Sequence, residues 1–181
     1  IGKQDQAAAA FGGLNYFRFC ADGTVEQERI ELSQEDFKKL ESKLVVFYTG
    51  QTRSAGDILK EQKSNIDQKV DIMNQMRDQA DLLKSKLVAE GFNSYFGDML
   101  QQAWERKKVL SGGISNPEIN RMYEIGIQAG ALGGKLLGAG GGGFLMFYCE
   151  EDKQEQLRKK LGLQQLYFRV ARYRSRVVYF E

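Results

Sequence analysis

The sequence predicts an α+β fold, an antiparallel sheet with helices on one face. Three observations carry that reading. Two continuous apolar runs, Leu44–Tyr48 and Phe144–Cys149, have the length and composition of buried strands. Long stretches with apolar residues every three or four positions lie between them. From Leu44 onward the order is strand, helices, strand, helix and one or two further strands, which is the pattern of helices layered on an antiparallel sheet.

The elements follow in order. Residues 3–11 hold four alanines and no breaker, so they read as a helix that Gly12-Gly13 stop. Leu14–Cys20 is a strand by its aromatic content. Asp22-Gly23 is a hairpin turn signal, and the return strand lies within Thr24–Leu32. Ser33 caps a short helix, with Asp36 at its third position. Leu44–Tyr48 ends in the polar turn Thr49–Ser54, and a composition change near residue 42 places a domain boundary there. Residues 55–89 read as one long helical stretch with Ile66, Val70, Met73, Met76, Ala80, Leu83 and Leu87 in a stripe. Gly91 ends it, and Phe92–Leu110 form a second helix with Phe96, Met99, Leu100, Ala103 and Trp104 inward. Asn116-Pro117 starts a third, Asn as N-cap and Pro at the first helical position, with Ile119, Met122, Ile125 and Ala129 apolar. A glycine-rich segment, Gly133–Gly143, precedes Phe144–Cys149. Asp152–Leu161 is a helix closed by Gly162, and Leu166–Val170 and Arg176–Phe180 read as strands.

Composition excludes several functions. The 181 residues carry a net charge of +2, which gives no strong case for nucleic acid or an anionic membrane. No apolar run approaches the roughly 20 residues of a membrane-spanning helix. With no histidine in the chain, His-based triads, bases and metal sites are excluded within it. Cys20 and Cys149 sit in apolar segments without metal spacing and read as reduced core residues of a cytoplasmic protein. No metal site is expected. The chain opens Ile1-Gly2-Lys3, without a start methionine, so it reads as a portion of something longer or a processed form.

Four segments could carry chemistry. Gly138-Ala139-Gly140-Gly141-Gly142-Gly143 lies between apolar flanks, where glycines let backbone N–H groups approach anionic oxygens. A flexible linker fits poorly, because both flanks are core-like. The segment is neither a Walker A loop nor a GxGxxG that opens a helix. In Lys3-Gln4-Asp5-Gln6 a carboxylate sits beside a lysine at a helix start, where the helix field favours its ionised form. Such a carboxylate can take a proton from an alcohol during phosphoryl transfer, although on residue chemistry alone a solvated helix start is the favoured reading. Thr52-Arg53-Ser54 follows a buried strand, a place where ligand groups gather, and it reads evenly as a phosphate contact or an ordinary turn. Arg169, Arg172, Arg174 and Arg176 with Tyr167, Phe168 and Tyr173 interleaved read as the charged face of an edge strand ahead of a nucleic-acid surface.

GKQDQ-AAAFGGLNYFRF, FYTGQTRSAGDIL, ISNPEINRMY and GGKLLGAGGGGFLMFY occur in this order. Together they resemble the C-terminal part of a GHMP-superfamily sugar kinase, most similar to the D-glycero-D-manno-heptose 7-phosphate kinases. The resemblance covers the whole chain. GAGGGGF matches the superfamily's third motif, and GKQDQ with a following FGG is the more family-specific signal. The fold implied is a ferredoxin-like C-terminal domain with added helices over residues 42–181. Residues 1–41 are then a helix-hairpin remnant of the ribosomal-S5-like N-terminal domain. The activity implied is ATP-dependent phosphorylation of a sugar hydroxyl, with Mg2+, on a sugar or sugar-phosphate substrate. Asp5 is then the base, Gly138, Ala139, Gly140, Gly141 and Gly142 the phosphate loop, and Thr52 and Arg53 substrate contacts. Two departures stand out. Ala7 occupies a position that is commonly Tyr, and the ATP-binding loop of the form PxGxGLGSS is absent from these residues. The chain alone is therefore expected not to be a competent kinase. Exposed apolar surface is expected over residues 1–32, where homodimerisation would cover it. The alternative is a non-enzymatic ferredoxin-like module that binds a ligand or partner.

Overall fold

Phe144–Cys149 becomes the strand around which the rest is organised. The computed structural model describes residues 3–176 and 179. The chain runs α1 (Gln4–Phe11), β1 (Asn15–Phe19), β2 (Val25–Arg29), α2 (Gln34–Lys43), β3 (Leu44–Tyr48), α3 (Ala55–Ser64), a 3-10 turn (Ile66–Gln68), α4 (Val70–Glu90), α5 (Tyr95–Lys108), α6 (Pro117–Gln128), β4 (Ala131–Leu136), β5 (Phe144–Cys149), α7 (Glu151–Leu161) and β6 (Gln165–Leu166). β1 and β2 form an antiparallel hairpin, and the other four strands form an antiparallel sheet ordered β4-β5-β3-β6. With helices between β3 and β4 and α7 between β5 and β6, this is the ferredoxin-like arrangement, with extra helices inserted after β3.

The helices cover both faces of the sheet, not one. β3 and β5 are apolar at every position, so neither face can be left in water. Val45, Phe47, Leu145, Phe147 and Cys149 pack with Ile58, Trp104, Ile119, Tyr123 and Leu157. On the opposite face Tyr148, with Leu44 and Met146, packs with Leu40, Leu87, Phe92, Phe96 and Leu100. The second of these clusters also takes in Ile30, Leu14 and Tyr16, so the hairpin rests on the same body.

Three further expectations are corrected. The stretch 55–89 is not one helix. Asn65 ends α3, its side chain donating to the Leu110 carbonyl at 3.4 Å and its N–H to Gln62 O at 3.1 Å, and a 3-10 turn precedes α4. Asparagine competes with the helix ladder in this way. Only the C-terminal end of the apolar stripe reaches the core: Leu87 is buried, whereas Ile66, Val70 and Met73 are exposed. Second, the start of the glycine-rich segment, residues 133–136, belongs to a strand, β4. Third, the strand expected over Leu166–Val170 ends at Leu166, and Arg172, Arg174 and Arg176 lie on no strand. Of the expected strand Arg176–Phe180, Val177, Val178 and Phe180 lie outside the described residues. Residues 170–175 instead bond to α2 and to the N-terminal segment. Val170 N–H donates to Glu41, Gly13 N–H to Ala171 O, the Arg29 guanidinium to Arg172 O and Ser175 N–H to Ala10 O. Those bonds take the backbone groups that a strand ladder would have used. The Arg172 guanidinium lies over the Phe37 ring at 5.0 Å.

Candidate functional site

The glycine loop 138–143 joins β4 to β5 and packs against two other loops. Gly141 N–H donates to Ile114 O and Gly143 N–H to Gln51 O, each at 2.8 Å. Gly143 O accepts from both the N–H and the hydroxyl of Thr49, each at 2.9 Å. Gly140, Gly141 and Gly142 all have positive φ. A Cβ at Gly140 would meet Ile114 Cα at 2.8 Å, one at Gly141 would meet Arg53 Cδ at 2.8 Å, and one at Gly142 would meet Gln51 O at 2.6 Å. These three glycines are therefore required by loop-on-loop packing, beyond any need of a ligand. That packing brings Thr52 and Arg53, which are exposed, to the loop. The N–H groups of Gly138, Ala139, Gly140 and Gly142 donate to no acceptor among the described residues. They form the part of the loop still able to bind an anion.

The neighbouring 111–113 turn is set by Glu61. Its carboxylate accepts Gly112 N–H at 2.9 Å. A hydrogen bond from Ser111, then the Gly112 and Gly113 N–H groups and the Arg53 charge, hold this carboxyl below its usual range. Asn116 joins the same assembly. Its Oδ1 caps α6 by accepting Ile119 N–H at 2.9 Å, and its Nδ2 donates to Gln51 Oε1 at 2.8 Å. Asn116→Ala is expected to cost about 1–2 kcal/mol, read as a lower urea midpoint with an unchanged slope.

Helix α5 carries Lys107 to this loop. Gly97 packs on Leu132 and Gly133, and Lys107 donates from Nζ to the Gly138 carbonyl. The ten residues from Gly97 to Lys107 rise about 15 Å as helix, and the five from Gly133 to Gly138 span about the same length as strand. α5 thus runs alongside β4 and delivers Lys107 to the loop. Burial, then the charge of Lys135, push Lys107 down to about 8, and Asp5 acts in the opposite direction. Lys135, on β4, is pushed down by burial. Asp5 is exposed in the first turn of α1 and lines a cleft of about 540 Å3 with Gly13, Tyr16, Ile30, Leu83 and Lys84. The structure therefore sets Lys107 on the glycine loop, whereas the cleft that Asp5 lines is formed by α1, the hairpin and α4. Sequence reading did not single out Lys107, Lys135 or Glu61. Lys135 had a signal, a lone charge between apolar neighbours, whereas Lys107 reads as one of several cations in the last turn of a helix.

Residues 83–166 match the family model for the C-terminal region of GHMP kinases, and the chain carries that family's C-terminal domain. Among individual relatives, the D-glycero-alpha-D-manno-heptose 7-phosphate kinase of Campylobacter jejuni is 33% identical over 168 residues, 92% of this chain and 49% of the relative. A crystal structure of a D-glycero-D-manno-heptose 1-phosphate kinase from Bacteroides thetaiotaomicron superposes with a TM-score of 0.69 at 25% identity, covering 96% of this chain and 47% of that one. The mevalonate kinase of L. major, in complex with R-mevalonate, shares the fold with a TM-score of 0.67 at 22% identity, over 87% of this chain and 47% of that one. The chain spans about half the length of the relatives it matches. Among the described residues no helix is long and apolar enough to cross a membrane.

Proposed function

We propose that this chain carries part of the active site of an ATP-dependent kinase that phosphorylates a sugar hydroxyl, with heptose phosphates as the substrate class. The observation that carries the reading is the glycine loop, which keeps four uncommitted N–H groups and receives Lys107 on its Gly138 carbonyl. The similarity to heptose-phosphate kinases supports it. In this reading residues 1–41 belong to the N-terminal domain and 42–181 to the C-terminal one. The two unpaired cysteines support a cytoplasmic setting.

The chain's own residues fit an anionic phosphoryl group, because free N–H groups and uncompensated lysines are what such a group needs. A kinase Mg2+ is held by one or two carboxylates together with the substrate phosphates, and no step is assigned through that ion. ATP supplies the phosphoryl group. Asp5 accepts the proton of the attacking sugar hydroxyl, and the N–H groups of Gly138, Ala139, Gly140 and Gly142 donate to oxygens on which charge builds. Thr52 and Arg53, beside the loop, contact the sugar or its phosphate. The chain alone, without an ATP-holding loop, turns over no ATP.

The test joins the N-terminal half of the C. jejuni kinase to this chain and measures ATP turnover with heptose 7-phosphate. Turnover is expected in the chimera, with Asp5→Asn lowering kcat by at least about 100-fold and KM nearly unchanged. A folded chimera that binds substrate without turnover, or one that Asp5→Asn leaves at full rate, refutes the reading.

A further inference from the structure

Helix α1, which carries Asp5, is held almost entirely from one end. It is eight residues long, buries no side chain and has no side-chain cap at its N-terminal end. Helices this short are not stable in water on their own. One flank borders the cleft of about 540 Å3 that Asp5 and Ala8 line. Phe11 meets the Phe17 ring at a centroid separation of 5.6 Å but stays exposed. Side-chain burial therefore does little to fix where this helix lies.

Its C-terminal end is gripped instead by residues 171–175. A helix leaves its last four carbonyls without an internal partner. Two of those in α1 are taken by Ser175, whose N–H donates to Ala10 O at 2.9 Å and whose hydroxyl donates to Ala9 O at 3.2 Å. Gly13 N–H donates to Ala171 O. Gly12 lies so close to this strap that a Cβ on it would stand 2.1 Å from Tyr173 O. The other end of the strap is anchored on the main body. β6 lies in the four-stranded sheet, Val170 N–H bonds to Glu41 of α2 at 2.8 Å, and the Arg172 guanidinium lies over buried Phe37.

The strap adds little burial of its own, since Tyr173, Arg174 and Ser175 are exposed. What it contributes is direction. Asp5 precedes Ala10 by five residues in the same helix. Over that rise of about 7.5 Å, a tilt of about 10° at the gripped end displaces Asp5 by about 1 Å. Misplacement of that size costs about 100-fold in a reaction that depends on aligned atoms.

We propose that Ser175, at the end of the strap 171–175, is a positioning residue for Asp5, fixing the axis of α1 relative to the sheet. That Asp5 is the base rests on the kinase reading above, but the hold of the strap on α1 does not.

The first arm of the test is amide hydrogen exchange, followed by NMR, on the full 181-residue chain. Ser175→Pro removes both donors, and Ser175→Thr keeps them. In Ser175→Pro the amides of Ala8 to Gly12 are expected to exchange faster by about tenfold or more, with those of β3 and β5 unchanged. Ser175→Thr is expected to match the parent. The second arm uses the chimera. There Ser175→Pro is expected to lower kcat by about tenfold or more with KM nearly unchanged, and Ser175→Thr to restore it. Combined with Asp5→Asn, Ser175→Pro is expected to cause no further loss, because nothing is left for the strap to position. The proposal is overturned by α1 amides that keep their protection in Ser175→Pro. An active chimera whose kcat ignores Ser175→Pro, or in which the two losses multiply, overturns it as well. An inactive chimera refutes the kinase reading alone, and the α1 amides then decide whether the strap holds the helix.

Discussion

Gly133→Ala is expected to abolish stable folding, or at minimum to lower stability by at least about 3 kcal/mol, measured as the shift in urea midpoint. An alanine Cβ there would stand 1.8 Å from the Gly97 carbonyl oxygen and 2.6 Å from its carbon. Both obstacles are backbone atoms in the first turn of α5, so no side-chain rotation relieves the clash. Relief requires α5 to lift from β4, which would pull Trp104 from the cluster on one face of the sheet and Phe96 and Leu100 from the cluster on the other. Gly162→Ala is the matched control. Its φ is +61° with nothing within 4 Å of a Cβ, so it pays only the left-handed backbone penalty of about 1–2 kcal/mol. Equal losses at the two positions would show that close packing of α5 on β4 is not what Gly133 provides.

Lys107→Met is expected to stabilise the free chain at neutral pH, by on the order of 3 kcal/mol, and to lose that advantage in alkali. Lys107 is held at about 8 against an ordinary value of 10.5. Below about pH 8 both folded and unfolded chains carry the charge, and the folded chain bears the full cost of burying it beside Lys135. Between about 8 and 10.5 the unfolded chain binds more protons, so stability rises with pH. Above that window both states are neutral and the cost is gone. Methionine keeps the apolar stem without the charge, and the Gly138 carbonyl it abandons is exposed to water. The Asp5 charge works against the cost, so Asp5→Asn is expected to widen the gap between wild type and Lys107→Met. Urea denaturation of both proteins from pH 6 to 10.5 measures the difference, which should shrink steadily above pH 8. A gap independent of pH would assign the change to packing.

Much of the frame was legible because it rests on local chemistry. Asp22-Gly23 turns a hairpin, Asn116-Pro117 opens α6 with the cap bond in place, and Phe144–Cys149 is buried along its length. β4 was not legible. Glycine weakens a strand by its own propensity, and Gly133-Gly134 are present because α5 and the β5 backbone come too close for a side chain, a fact about distant segments. The covering of both sheet faces was written in β3 and β5, whose even and odd positions are equally apolar, but the interrupted stripe of α4 obscured which helix served which face. At the site, the motif residues Asp5, Thr52, Arg53 and the loop glycines were each visible. The contact of Lys107 with the loop was not, since a helical lysine shows its partner only when the helix is docked.

The contacts of residues 170–175 with Gly13, Arg29 and Ala10 have a kinetic consequence. The segment that carries Asp5 is clasped by backbone bonds to residues about 160 positions later. Closing so long a loop is slow relative to local pairing. On a ribosome, which releases the chain from the N-terminus, synthesis must pass Ser175 before α1 can be locked down. The segment that carries Asp5 is therefore set in place only once residues 170–175 have been made.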